Sequence, residues 1–115
     1  MLQVGQGVLG KVRFKDGDFP KYPRTYLVVS VTSTQIGLLN ISSTAGKEHK
    51  LLFPTNRSIK NYEPPFKKDC FVKLDSLTYV PVSQTDEFLL LHGGDRLDPS
   101  ELKSIISAVG ASLIE

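Results

Sequence analysis

The chain has 115 residues, 14 Lys/Arg and 12 Asp/Glu, which is enough for one domain with one core and too few for two. No run approaches the roughly 18 apolar residues that span a bilayer, and the opening MLQVGQGVLGK lacks the features of a signal peptide. The single cysteine, Cys70, excludes an internal disulfide framework. We therefore expect one cytoplasmic domain over residues 1–115, with no membrane segment.

The charges are unevenly distributed along the chain. Residues 1–74 contain 12 Lys/Arg against 5 Asp/Glu, whereas residues 75–115 contain 2 against 7. A basic body followed by an acidic region indicates a polyanionic partner for the body. Ordinary solubilising charge explains the same counts equally well.

The first half of the chain predicts three strands. Gly7–Phe14 alternates apolar and basic residues, as a half-buried strand does. Lys15–Pro23 is a turn-rich loop with two prolines. Thr25–Thr32 is apolar on both faces, so we expect a strand covered on each side, and Ser33-Thr34 links it tightly to a further strand, Gln35–Ser42.

The second half predicts shorter strands and a long loop. After the polar linker STAGKE, the run HKLLF (His49–Phe53) favours a short strand, and the proline-rich stretch Pro54–Lys68 favours a surface loop. Alternation resumes in CFVKLDSL, where Val72 and Leu74 share one face, and a last apolar run covers Phe88–Leu91.

The clearest local signal is a helix near the end of the chain. Asp98 is a typical N-cap, Pro99 fits the first helical position, and Glu101 completes a capping-box-like pattern. Gly110 is typical of a helix end. The i, i+3, i+4, i+7 spacing predicts one buried stripe, formed by Leu102, Ile105, Ile106 and Val109.

These elements together predict a mainly β fold. About five short strands followed by one amphipathic helix indicate a small, curled antiparallel barrel with the helix packed on it. The strand that is apolar on both faces would line the barrel with one face and lie under the helix or a second subunit with the other.

Metal-site and nucleotide-binding patterns are missing from the sequence. Two histidines and one cysteine occur without metal-ligand spacing, and we find neither a phosphate-cradling glycine loop followed by a helix nor a GxSxG elbow. We therefore expect no metal and no cofactor. A structural role is the favoured interpretation of His92, and a solvated loop position that of His49.

The remaining chemistry lies at the ends of two central strands. Antiparallel neighbours joined by a tight turn bring the start of one strand beside the end of the next, so Arg24 should lie next to Ser42. A guanidinium fork beside a hydroxyl suits a phosphate. A loop ion pair next to a polar turn, in which Ser43 and Thr44 continue the hydroxyl run, is the competing interpretation.

Several segments, in order, resemble the PemK/MazF family, the ribonuclease toxins of bacterial toxin–antitoxin systems. The family's R-P-x-L-V-V/I-S strand resembles Arg24–Ser30, with Thr25 in place of the proline, and its next strand ends in a hydroxyl, as Ile41-Ser42 does. A later family segment is similar to Asp69–Leu77, and the closing helix motif is similar to Gly94–Leu102.

This resemblance implies an SH3-like barrel that forms a homodimer, cuts single-stranded RNA without a metal and is neutralised by a cognate antitoxin. The substrate's 2′-hydroxyl would attack the adjacent phosphate. Arg24 would stabilise the developing charge, and Ser42, or its neighbours Ser43 and Thr44, would hold a phosphoryl oxygen. Phosphate contacts would come from loop residues, namely Lys15, Lys21, Lys47, His49 and Lys50.

The general base and a second arginine are not assigned by the sequence. Arginine is a poor general base, and Asp16, Asp18 and His49 are candidates for that role only because they fall in loops near the proposed site. Many family members also have an arginine where this chain has Thr78 and Tyr79. That departure favours the alternative of a non-catalytic SH3-like module that binds RNA or a protein.

Overall fold

One antiparallel sheet and one α-helix form the framework of the domain. The computed structural model describes residues 1–13 and 17–114, and within them seven strands pair into a single sheet. The helix, α1, covers Pro99–Ile114. The strands are β1 (Gly7–Gly10), β2 (Arg24–Val31), β3 (Gln35–Ser43), β4 (Asn56–Ile59), β5 (Cys70–Lys73), β6 (Thr78–Pro81) and β7 (Leu89–Leu90).

The sheet is open at both edges. Its strand order is β4-β5-β3-β2-β1-β7, and β6 pairs with the first half of β3 beside β5. The prediction of a mainly β fold with an antiparallel sheet and a C-terminal helix is confirmed. In the described part of the chain, however, β4 and β7 do not pair with each other, so the hydrogen bonds do not close the sheet into a barrel.

The two central strands are covered on both faces, as their sequence predicts. On one face Leu27, Leu39 and Ile41 pack in the same cluster as Ile105 of α1. On the other face Tyr26 belongs to a second apolar cluster. Because successive residues of a strand point to opposite faces, a run that is apolar at every position serves both clusters at once.

The terminal helix begins as predicted but extends further, and three of the four residues of the predicted stripe, Leu102, Ile105 and Val109, pack in or against the core. The backbone N–H of Glu101 donates to the Asp98 carboxylate at 3.0 Å, which confirms the N-cap. Ile105 is fully buried, whereas Ile106 is 40% exposed, so its place in the buried stripe was wrongly predicted. The helix also continues past Gly110 to Ile114.

Two secondary-structure predictions between β3 and β5 are wrong. The first four residues of the run HKLLF lie in a 3₁₀ helix, Glu48–Leu52, and not in a strand. Leu52 is 84% exposed, so this apolar run has no sheet to cover it. The strand β4 lies instead inside the segment predicted to be a loop, where only Ile59 is buried, and its conformation comes from pairing with β5.

The remaining differences concern strand length. The described part of the first predicted strand is confined to Gly7–Gly10, and Phe14 lies outside the described residues. β6, Thr78–Pro81, was not predicted, and the apolar run at Phe88 contributes only the two-residue β7. No helix among the described residues combines the length and hydrophobicity needed to span a membrane.

Candidate functional site

Arg24 and Ser42 lie opposite each other at one end of the sheet. The register between β2 and β3 pairs Thr25 with Ile41, so the next position along each strand places Arg24 across from Ser42. Directly opposed residues in antiparallel strands share a face, and Tyr26 is on that face two residues further along β2. Burial raises the pKa of Tyr26, and the positive charge of Arg24 acts in the opposite direction.

The 3₁₀ helix brings lysines over the same end of the sheet. The ammonium nitrogen of Lys47, just before this helix, lies 3.2 Å from the Ser42 hydroxyl oxygen. The side-chain amide of Asn56 in β4 donates to the backbone carbonyl of Lys50 at 3.0 Å and thereby ties the helix to the sheet. The 3₁₀ helix therefore positions Lys47 and Lys50, two of the residues predicted to contact phosphate.

A fourth cation, Lys73, completes the group. Burial lowers the pKa of Lys73, and the positive charges of Lys50, Arg24 and Lys47 lower it further, while Asp75 acts in the opposite direction. Three cations from separate segments therefore act on one lysine. We call Arg24, Lys47, Lys50 and Lys73 together with Ser42 the cationic site.

The backbone around Lys73 is fixed by a serine in the turn that follows β5. The Ser76 hydroxyl donates to the Lys73 carbonyl at 2.6 Å and accepts from the backbone N–H of Asn40 at 2.8 Å. This occurs where the edge of β3 changes partner from β6 to β5. The register pairs Lys73 with Asn56, so Lys73 shares a face with the residue that holds Lys50.

Sequence reasoning missed Lys73 because its neighbours come from strand pairing. Its alternation with Val72 and Leu74 places it correctly on the face away from those buried residues. Lys73 could have been identified only by knowing that β5 pairs with the end of β3 that contains Ser42. Nothing in the local sequence states which strand β5 joins.

The hydroxyl run divides between different environments. Ser43, one residue after Ser42, points to the opposite face and lines a separate groove of about 520 Å³ together with Thr25, Cys70 and His92. Thr44 is buried, and its hydroxyl oxygen has no hydrogen-bond partner among the described residues. The structure therefore brings Ser42 to the cationic site and places Ser43 and Thr44 elsewhere.

The other predicted residues occupy separate positions. Lys21 lies in the loop before β2, with its ammonium nitrogen 5.4 Å from the centroid of the Tyr22 ring. His49 is exposed in the 3₁₀ helix next to Lys50. Asp18 is exposed in the same loop as Lys21, and the predictions for Lys15 and Asp16 fall outside the described residues.

The arrangement is suited to binding a phosphate. A guanidinium supplies parallel N–H donors, the ammonium groups supply charge, and the Ser42 hydroxyl supplies a neutral donor. Among the described residues, no three His, Cys, Asp or Glu side chains gather as metal ligands. No family model matches the chain, and neither does any curated protein.

Proposed function

We propose that the chain is a metal-independent endoribonuclease that cuts single-stranded RNA at the cationic site. The observation that carries this proposal is the convergence of Arg24, Lys47 and Lys50 on Lys73 beside Ser42. The positive charges of Arg24, Lys47 and Lys50 all act on Lys73, and opposite charges attract. A phosphate, which becomes more negative during cleavage, is attracted to this group of cations.

The reaction uses the substrate's own nucleophile. The 2′-hydroxyl oxygen attacks the adjacent phosphorus, the bond to the 5′-oxygen breaks, and the products are a 2′,3′-cyclic phosphate and a 5′-hydroxyl. Arg24 stabilises the extra negative charge on the pentacoordinate phosphorus, and Ser42 donates to one phosphoryl oxygen. Both groups act at the transition state, where the negative charge on the phosphoryl oxygens is largest.

Two protons move in this step. Lys73 donates the proton that the departing 5′-oxygen takes up, because a lysine with a lowered pKa gives up its proton more readily than an ordinary one. Arginine does not serve this purpose, since it stays protonated. Asp18 and His49 are the described candidates for accepting the 2′-hydroxyl proton.

RNA affinity comes from the summed phosphate contacts. Lys47 and Lys50 belong to the cationic site, and Lys21, in the loop that leads to Arg24, is a further predicted phosphate contact. Such contacts read no sequence and weaken as salt rises. Binding of RNA should therefore be strongly salt-dependent.

The biological setting rests on the resemblance to the PemK/MazF family. We infer a cytoplasmic toxin that works as a homodimer and is neutralised by a cognate antitoxin. Light scattering at tens of micromolar should report twice the chain mass, and a monomer would contradict the homodimer.

A non-catalytic module is the second candidate. The observation in its favour is that Thr78 and Tyr79, both exposed in β6, stand where many family members have an arginine. In that case the cationic site would bind RNA without cutting it.

One experiment separates the two functions. Purified protein is incubated with defined single-stranded RNAs in the presence of a chelator, and the ends of the products are analysed. Fragments with a 2′,3′-cyclic phosphate and a 5′-hydroxyl are expected of the enzyme. Binding of RNA without fragments would favour the module.

A further inference from the structure

A second concave surface includes Gly10, which pairs with Arg24 of the cationic site. It is a cavity of about 790 Å³ between the end of β1, the loop before β2 and the segment 83–89. Aromatic and acidic side chains meet there. Phe19 and Phe88 contribute rings, and Asp86 and Glu87 contribute carboxylates from a short 3₁₀ helix, Val82–Glu87.

The two aromatic rings differ in their exposure. Phe88 is half-buried against β1, and a Cβ added to Gly10 would come within 2.3 Å of its ring, so the floor of the cavity depends on glycine at that position. Phe19 is 51% exposed. The Arg13 guanidinium lies 4.2 Å from the centroid of the Phe19 ring and supports that ring from the loop.

Strand pairing links one residue of the cavity to the cationic site. Gly10 pairs with Arg24, and Arg24 lies across from Ser42, so the three residues form one row on one face. Neighbouring strands are about 4.8 Å apart. A phosphate held by Arg24 and Ser42 is therefore about one strand spacing from the floor of the cavity, which is within the reach of a single nucleotide.

The cavity is lined by one lysine, Lys11, and by two carboxylates, whereas the cationic site contains only cations and a hydroxyl. The carboxylates of Asp86 and Glu87 repel phosphate but accept hydrogen bonds from the N–H groups of a base. Exposed aromatic rings are the usual stacking partners of unpaired bases. Among the four bases, guanine presents two adjacent donors, N1–H and the N2 amino group, which match the two oxygens of a carboxylate.

We propose that this cavity binds the base of the nucleotide whose phosphate occupies the cationic site, and that it selects guanine. The inference rests on the proposed RNA substrate and adds a base-selecting subsite to it. Phe19 stacks on the base, and Asp86 or Glu87 accepts from its Watson–Crick edge. Uracil, with one donor and two carbonyl acceptors, is the least favoured base.

The test is a binding titration that does not depend on cleavage. Isotope-labelled protein is titrated at fixed salt with the 3′-monophosphates of guanosine, adenosine, cytidine and uridine, and backbone amide shifts are followed by NMR. The expected result is a shift of the Gly10 and Phe19 amides, with guanosine monophosphate bound most tightly and uridine monophosphate least tightly. Equal affinities, or no shift at Gly10 and Phe19 with any nucleotide, would overturn the proposal.

Variants assign the contacts. Phe19→Ala should weaken binding of guanosine monophosphate roughly 5- to 150-fold, as loss of one stacking partner does. The double variant Asp86→Asn and Glu87→Gln should remove the preference for guanosine over uridine. Glu63→Gln, an exposed carboxylate that does not line the cavity, is the matched control and should change nothing. A guanosine preference that survives in the double variant would overturn the assignment.

Measuring RNA cleavage and nucleotide binding on the same protein distinguishes failure of the guanine subsite from failure of the proposed ribonuclease. RNA cleavage without any base preference would contradict the guanine subsite and leave the ribonuclease intact. Guanosine-selective binding without any RNA cleavage would support the subsite and contradict the enzyme.

Discussion

The ammonium nitrogen of Lys47 lies 3.2 Å from the hydroxyl oxygen of Ser42, although the two residues belong to different structural elements. Ser42 is near the end of β3, and Lys47 precedes the 3₁₀ helix Glu48–Leu52. The contact places Lys47 beside Ser42, which lies across from Arg24 in the sheet. It also orients the hydroxyl, because an ammonium donates and leaves the O–H proton of Ser42 for another acceptor.

Ser42 and Ser43 provide a matched pair of variants. Ser42→Ala should lower the rate of RNA cleavage roughly 2- to 10-fold, since one neutral hydrogen bond contributes about 0.5–1.5 kcal/mol net. Ser43→Ala should leave the rate unchanged, because Ser43 lines the groove on the opposite face. Single-turnover rates of the two variants check this. An equal loss of cleavage rate in both variants would contradict the assignment of Ser42 alone to the site.

Lys73 tests the proton transfer. Lys73→Arg keeps the positive charge but cannot give up a proton, so cleavage should fall about 10²-fold or more. In the wild type the rate should also decline at alkaline pH, starting below the usual lysine range, because the pKa of Lys73 is lowered by burial and by Lys50, Arg24 and Lys47. The measurement is a pH–rate profile of both proteins.

The control for this prediction is Lys103→Arg, an exposed lysine of α1, which should keep the wild-type profile. Wild-type activity in Lys73→Arg would restrict Lys73 to an electrostatic role.

The terminal helix offers adjacent isoleucines with different burial. Ile105 is fully buried and Ile106 is 40% exposed. Ile105→Ala should therefore lower the free energy of unfolding by about 2–5 kcal/mol, whereas Ile106→Ala should change it by no more than about 1 kcal/mol. Urea unfolding of both variants measures this difference. Similar losses in the two proteins would mean that the helix is rotated relative to the structure.

Cys70 predicts a loss of stability at alkaline pH. Burial, assisted by the negative charge of Asp69, raises the pKa of this thiol from about 9 to about 12. Between these values the unfolded chain loses the proton and the folded chain keeps it, so stability is complete below pH 9 and declines as pH rises toward 12. Urea midpoints of wild type and Cys70→Ala at pH 8 and pH 10 test this. The gap between the two proteins should narrow at pH 10, and a constant gap would refute the assignment.

The central part of the fold could be predicted from the sequence because its signals are local. A run that is apolar at every position, as in Tyr26–Val29, is typical of a strand covered on both faces, and the tight link to β3 fixes the pairing of the two strands. The same register places Arg24 across from Ser42. Asp98 likewise marks the start of α1 through its own capping hydrogen bond.

The rest depended on contacts between distant segments. HKLLF has the composition of a strand, but the local bond from the Phe53 N–H to the Lys50 carbonyl fixes a helical turn instead. β4 has only one buried residue, Ile59, and exists because β5 pairs with it. Lys73 joins the site through that same pairing, so the sequence alone did not select it.

Two pairs of adjacent residues show the limit of spacing. Ser42 and Ser43 are neighbours in sequence, yet a strand sends their side chains to opposite faces. Ile105 and Ile106 differ in the same way, because only part of an apolar stripe on a helix meets the sheet. In both pairs the spacing of apolar residues indicates that one face of the strand or helix is buried. The element that packs against this face determines which residues at its border are covered.

The central claim is that Arg24 stabilises a phosphate while it gains charge. The most direct measurement is single-turnover cleavage of a short single-stranded RNA in the presence of a chelator, comparing wild type with Arg24→Ala and Arg24→Lys. Arg24 is exposed at the start of β2, so both variants should keep the wild-type melting temperature.

Cleavage by Arg24→Ala should fall roughly 10²–10³-fold, as loss of one preorganised charge-stabilising donor does, and Arg24→Lys should recover little because it lacks the planar fork. RNA affinity should fall much less, since it is shared among the lysines. The wild-type products should end in a 2′,3′-cyclic phosphate. Wild-type rates in Arg24→Ala, or products that end in a 3′-hydroxyl, would contradict the account.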